Sequence, residues 1–186
     1  MKKLILGMSL LVASVATAFA ASITEDNFSG ARVGLGYSQT SLKAVRDDGT
    51  SFDSDPDGKG FKVELGYDIN RIFGLDASYQ NQNEIIKNIS NNPDSEGSTI
   101  KVGADIGYAF YSKNVFLKPY VKVGFVSFSE NNYDENSLFA GLGLRYQYNH
   151  LYADLSIDGF YLDDDRNNNY DYYEFVQTAL TVGYKF

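Results

Sequence analysis

Leu138-Phe139-Ala140-Gly141-Leu142-Gly143-Leu144-Arg145-Tyr146-Gln147-Tyr148 decides how this chain is read. Its even positions are apolar, while Gly141, Gly143, Arg145 and Gln147 fill the alternate ones. A period of two puts the two sets on opposite faces of a β-strand. The pattern recurs in Ala31–Tyr37, Phe61–Ile69, Phe73–Tyr79, Ile100–Phe110, Leu117–Phe125, Leu151–Ile157 and Val176–Phe186. Eight strands are therefore expected. Pro119 is the weak point, because proline lacks a ladder donor and belongs near a strand end or bulge.

The connections alternate in length. Asn70–Ile72, Ser112–Val115 and Asn149–His150 are short, whereas Lys43–Lys59, Asn83–Gly97, Ser129–Asn136 and Asp163–Asp171 are longer and polar. Short and long links at opposite ends predict an all-β, eight-stranded antiparallel up-and-down barrel with both chain ends at the short-turn end. Bulky Leu, Val, Ile and aromatic residues on one face suit lipid, and the glycine-rich polar face suits a crowded lumen. Aromatics gather in two belts, with Tyr67, Phe73, Phe110, Tyr148, Tyr184 and Phe186 at one end and Tyr37, Phe61, Tyr79, Phe125 and Tyr161 at the other. Such belts mark the interfaces of a transmembrane β-barrel.

The N-terminus reads as an address. Lys2 and Lys3 precede an apolar run, and Ala18-Phe19-Ala20 supplies a small-x-small cleavage pattern. Residues 1–20 are expected to be a cleaved signal peptide and 21–186 the barrel domain. The chain has no Cys and one His, His150, which removes disulfide frameworks, zinc clusters and most triads. Net charge is −8, so no nucleic-acid partner is expected.

Gly34–Tyr37, Lys118–Val121, Ala140–Tyr146 and Val182–Phe186, in this order behind an export signal, resemble the small outer-membrane barrel family of Gram-negative bacteria. The likeness is to OmpA-like transmembrane domains and OmpX/Ail-like proteins. It implies location in the outer membrane, contact with its lipid and lipopolysaccharide, and delivery by the outer-membrane assembly machinery. It also implies that Leu180, Val182, Tyr184 and Phe186 form the C-terminal assembly signal. A barrel-only monomer is expected, without the peptidoglycan-binding domain of full OmpA-type chains.

The expected inner face carries Arg32, Lys62, Lys101, Lys118, Lys122, Arg145 and Lys185 against Glu64, Asp68, Asp76, Asp105, Asp154 and Asp158. Seven cations and six anions predict an internal salt-bridge network that plugs the lumen. Counting residues from the short turns groups Arg32, Asp76, Arg145 and Asp154 in one layer, and Glu64, Asp105 and Lys122 in another. The four long links carry nets of −2, −2, −3 and −3, which equals the −10 of the chain without residues 1–20. All excess acid thus falls at one end.

Asp53-Ser-Asp55-Pro-Asp57-Gly58 followed by Glu64 matches a calcium-loop spacing. Glu64 is expected inside the barrel, which leaves Asp53, Asp55 and Asp57 as a looser calcium site or a solvated tip. His150 falls at the end opposite the long links, so no enzyme is expected. Phe52, Tyr133, Tyr170, Tyr172 and Tyr173 are read either as contact anchors or as interfacial aromatics. The leading functional expectation is surface binding or adhesion through the acidic loops to a host or surface ligand. The alternatives are a structural membrane component or a narrow solute channel.

Overall fold

The computed structural model describes residues 28–45, 51–53, 58–83, 96–130, 133–163 and 172–186. The signal stretch 1–20 lies outside them. Ten strands form one sheet: β1 (Gly30–Val45), β2 (Ser51–Asp53), β3 (Gly58–Asp68), β4 (Phe73–Asn83), β5 (Glu96–Gly107), β6 (Phe110–Ser112), β7 (Val115–Glu130), β8 (Tyr133–Tyr148), β9 (Leu151–Asp163) and β10 (Tyr172–Lys185). Each long strand pairs antiparallel with its neighbours in sequence, and β10 returns to β1 from Arg32↔Lys185 to Val45↔Tyr172. That last ladder closes an eight-stranded barrel and removes its edges. The short β2 adds to β1 above the point where β3 leaves it.

β5 and β6 are one strand with a break. Gly107↔Tyr120 and Phe110↔Leu117 hold the same register along β7, interrupted only at Tyr108-Ala109. Pro119 explains the break. In an antiparallel strand a residue's N–H and C=O point to the same neighbour. The Pro119 carbonyl accepts from the Tyr108 amide at 3.3 Å, so the donor that proline lacks faces Tyr108. The next amide, Ala109, turns away to donate to the Arg71 carbonyl at 2.9 Å.

The short links are set by local chemistry. Lys113 and Asn114 both have positive φ, 47° and 68°, as a two-residue type I′ hairpin turn requires. Asn70 Oδ1 accepts from the amides of Ile72 and Phe73, each at 2.8 Å, so its side chain shapes the β3–β4 turn.

The long links differ from the sequence expectation. Strands continue well into them, and β7 and β8 pair as far as Glu130↔Tyr133 across the expected Ser129–Asn136 loop. Ladder bonds need no apolar face, so pairing persists after alternation has faded.

The prediction here concerns the β6–β7 turn. Asn114→Val puts a β-branched residue at positive φ and should cost about 1–3 kcal/mol, whereas Asn114→Gly should be near neutral. Urea unfolding in lipid vesicles reads the difference.

Candidate functional site

Each of the eight long strands sends alternate side chains into the lumen, and all thirteen charged residues expected there are buried. Asp68, at the end of β3, accepts from Lys185 Nζ at 2.7 Å and Arg145 at 3.1 Å, with Arg32 Nε at 3.3 Å. Asp105 faces Lys118 at 2.5 Å and Arg32 at 3.5 Å. Arg32 also meets Glu64 at 2.9 Å, and Lys62 reaches Glu64 at 2.6 Å. Arg145 Nε donates to Asp154 at 2.9 Å, and the Tyr120 hydroxyl donates to its other oxygen at 2.7 Å. Nearer the long links, Asp158 takes Lys101 at 2.7 Å and Lys122 at 3.4 Å, and Asp76 lies 3.8 Å from Lys122.

Two clusters result, and they follow the layers counted along the strands only in part, with Arg145 keeping Asp154 from its own layer. Arg32 joins Glu64 and Asp105, while Asp76 goes with Lys122. Strand tilt is the reason, since residues level by count in tilted strands are not level along the axis.

Inner glycines make room for these groups. A Cβ on Gly66 would stand 2.5 Å from the Arg32 guanidinium carbon, and one on Gly143 would stand 2.2 Å from the Tyr120 ring. The glycine-rich face is thus a set of seats for large neighbours, which keeps a narrow interior filled.

Aromatic layers close both ends of the network. At the long-link end Val126, Phe128, Phe139, Phe160, Leu162 and Phe175 form a buried apolar cluster, with Phe160 and Phe175 stacked at 5.0 Å. Phe139 bridges it to the charges, with Lys101 and Lys122 at 5.3 and 5.5 Å from its ring. At the other end Phe28, Ala109 and Phe116 pack together, and Lys185 donates to the Phe28 carbonyl while lying 3.5 Å from its ring centre.

Sequence reasoning missed these layers. Phe128, Phe139, Phe160 and Phe175 continue the inward phase of Lys122, Arg145, Asp158 and Gln177. Extending each alternation by one or two steps would have found them. Tyr173, read as a contact or interfacial residue, packs against this cluster instead.

The outer wall is apolar, with Leu35, Val102, Phe125, Leu138, Leu142 and Val182 all more than half exposed. Leu180 and Tyr184 of the expected assembly signal face outward with Val182, and the Phe186 amide donates to the Ala31 carbonyl at 2.9 Å. Asp55, Asp57 and Tyr170, and the side chains of Phe52, Asp53, Tyr133 and Tyr172, lie outside what the structure describes. Glu64, twelfth in the calcium-type spacing, is engaged by Arg32 and Lys62 inside the barrel. His150 sits in the β8–β9 turn, its ring stacked on Tyr184 and its Nδ1 2.8 Å from the Lys185 carbonyl.

Residues 8–186 match the family model described as outer membrane protein beta-barrel domain. The chain belongs to that family. As an outer-membrane barrel it is similar in fold to Ail of Yersinia pestis, solved with the heparin analogue sucrose octasulfate. That pair is 20% identical over 85% of this chain and 99% of Ail, with a TM-score of 0.52. Neisserial surface protein A matches at 16% identity over 84% and 97% of the two chains, with a TM-score of 0.55. The N-terminal barrel domain of Pseudomonas aeruginosa OprF matches at 17% identity over 82% and 97%, with a TM-score of 0.51. No curated protein matches the chain. Family and wall together place this barrel in the outer membrane, where its exposed apolar side chains meet lipid.

Two predictions follow from the barrel's interior. Asp68→Asn removes the charge that Lys185, Arg32 and Arg145 share, and unfolding in vesicles should show a loss of about 3–5 kcal/mol. Phe175→Ala empties part of the aromatic layer and should cost a similar amount, about 3–5 kcal/mol.

Proposed function

We propose that this outer-membrane barrel is a surface binding protein that uses its four acidic long links for adhesion. The observation that carries the reading is the division of charge. The lumen residues balance nearly to zero, whereas the long links hold the whole net charge of the chain that follows residue 20. A rigid scaffold with charge concentrated on the connections at one end is the usual arrangement for recognition. The β7–β8 hairpin supports it further. β8 pairs with β9 only from Phe139↔Phe160 onward, so Tyr133–Leu138 run beyond that ladder with Asp134 exposed.

The sign of the charge selects the partner. Acidic tips attract a basic protein surface and repel a sulfated polysaccharide, so the heparin-type ligand of the Ail complex is disfavoured here. Permeation is the weaker reading, because buried ion pairs and two aromatic layers fill the interior. We assign no catalytic role to His150, which the β8–β9 turn and Lys185 hold at the end opposite the acidic links.

Display on a non-adherent bacterium tests the reading. Host cells and matrix proteins should retain cells that carry the barrel. A variant with Gly/Ser turns in place of residues 46–57, 84–95, 130–135 and 163–171 should lose that retention at equal surface level. The binding should also weaken as salt rises from low to physiological ionic strength. Equal adhesion by both barrels would move the function off the long links.

A further inference from the structure

Among the described residues, the ion pairs inside the barrel fall into two sets that share no partner. Lys101 and Lys122 meet Asp158 and Asp76, two cations against two carboxylates. The other set holds five cations, Arg32, Lys62, Lys118, Arg145 and Lys185, on the four carboxylates of Glu64, Asp68, Asp105 and Asp154. The side chains of the lumen therefore carry one positive charge more than they balance, and an uncompensated charge is costly where water is excluded.

The surplus concentrates at Lys62. Arg32, Lys118 and Arg145 each meet at least two carboxylates, and Lys185 adds the Phe28 carbonyl to Asp68. Lys62 meets Glu64 alone at 2.6 Å, and the other oxygen of that carboxylate accepts from Arg32 at 2.9 Å. An ammonium has three donors. Lys62 thus keeps N–H groups that no acceptor among the described residues takes up.

Its neighbours in the wall repeat the condition. One inward row runs Thr181, Gly36, Lys62 and Gln80, on β10, β1, β3 and β4, each paired with the next. Gly36 has no side chain, and the Thr181 hydroxyl leans over it, 2.8 Å from where a Cβ would stand. The Gln80 side-chain carbonyl accepts from Gln82, which leaves the Gln80 NH2 group as a donor. Gln80 Nε2, Thr181 Oγ1 and, one inward step along β4, Ser78 Oγ are buried without a partner among the described residues. Surplus donors surround a surplus cation, and both conditions call for an acceptor of negative charge.

We propose that Lys62, Ser78, Gln80 and Thr181 bind one small monovalent anion such as chloride inside the lumen. A halide accepts from several donors without fixed directions, which suits groups drawn from three strands. Its single charge brings the interior to zero, whereas water would answer the donors and leave the cation unbalanced. Sulfate and phosphate are disfavoured, because a second negative charge would overshoot the balance and face Glu64.

The test uses the whole barrel refolded in phosphatidylcholine vesicles, with chloride exchanged for gluconate at constant ionic strength so that screening stays fixed. Linkage predicts that the unfolding equilibrium constant falls about tenfold for each tenfold rise in chloride above the dissociation constant. Lys62→Gln removes the surplus cation and should make stability independent of the anion. Lys113→Asn, at the exposed β6–β7 turn, should keep the full dependence. Thr181→Val preserves shape, removes one donor and should weaken chloride binding about fivefold. Crystals grown in bromide should show an anomalous peak beside Lys62 Nζ. Gel mobility before and after heating confirms that each variant is folded. Equal stability of the unmutated barrel in chloride and gluconate would overturn the site, as would undiminished chloride dependence in Lys62→Gln. Water in place of bromide beside Lys62 would overturn it too.

Discussion

An ionised group taken out of water must find its counter-charge nearby, and this barrel encloses thirteen of them. No single pair satisfies the condition. Asp68 and Asp105 each serve several cations, and Arg32 and Arg145 are shared between the two. The partners come from β1, β3, β5, β7, β8 and β10, so the network ties non-adjacent strands across the lumen. A slip of one residue in any register would send those charges into lipid and apolar side chains into the lumen. Neutrality inside therefore specifies the register of the whole wall.

The glycines and the aromatics follow from the same condition. Arg32, Tyr120 and Asp158 fit only because Gly66, Gly143 and Gly141 beside them carry no Cβ. Packing that tight leaves little water to screen the charges, which strengthens every correct pair and penalises every missing one. The two aromatic clusters lie at the two ends of this charged interior. What faces the exterior is then free to carry charge for other purposes, which is why all the excess acid can be spent at one rim.

Much of this was legible in the residues. Alternation alone gave eight strands, their outward faces and every charged lumen residue, since a period of two leaves each side chain only two directions. Pro119 marked its own break. The partners inside the lumen were not legible, because counting along Arg32, Asp76 and Arg145 ignores the tilt that brings Arg32 to Glu64. The aromatic layers escaped because Phe139 and Phe160 lie where alternation gives way to a polar link, and an inward Phe resembles an outward one. Strand ends were also invisible, for the β7–β8 ladder continues through Asp134 and Glu135, which carry no periodic signal.

Lys185 is the second-last residue of the chain, yet its ammonium reaches Asp68 on β3 and the backbone of Phe28 ahead of β1. These contacts span 117 and 157 residues. They form only when the last strand has docked against the first. A chain cut short of Lys185 would leave Asp68 with one cation fewer and Phe28 without its donor, so the interior would register the defect at once. The seam is thus fastened twice, once along the wall by the β1–β10 ladder and once across the lumen by charge, so the closure of the cylinder and the neutrality of its interior stand or fall together.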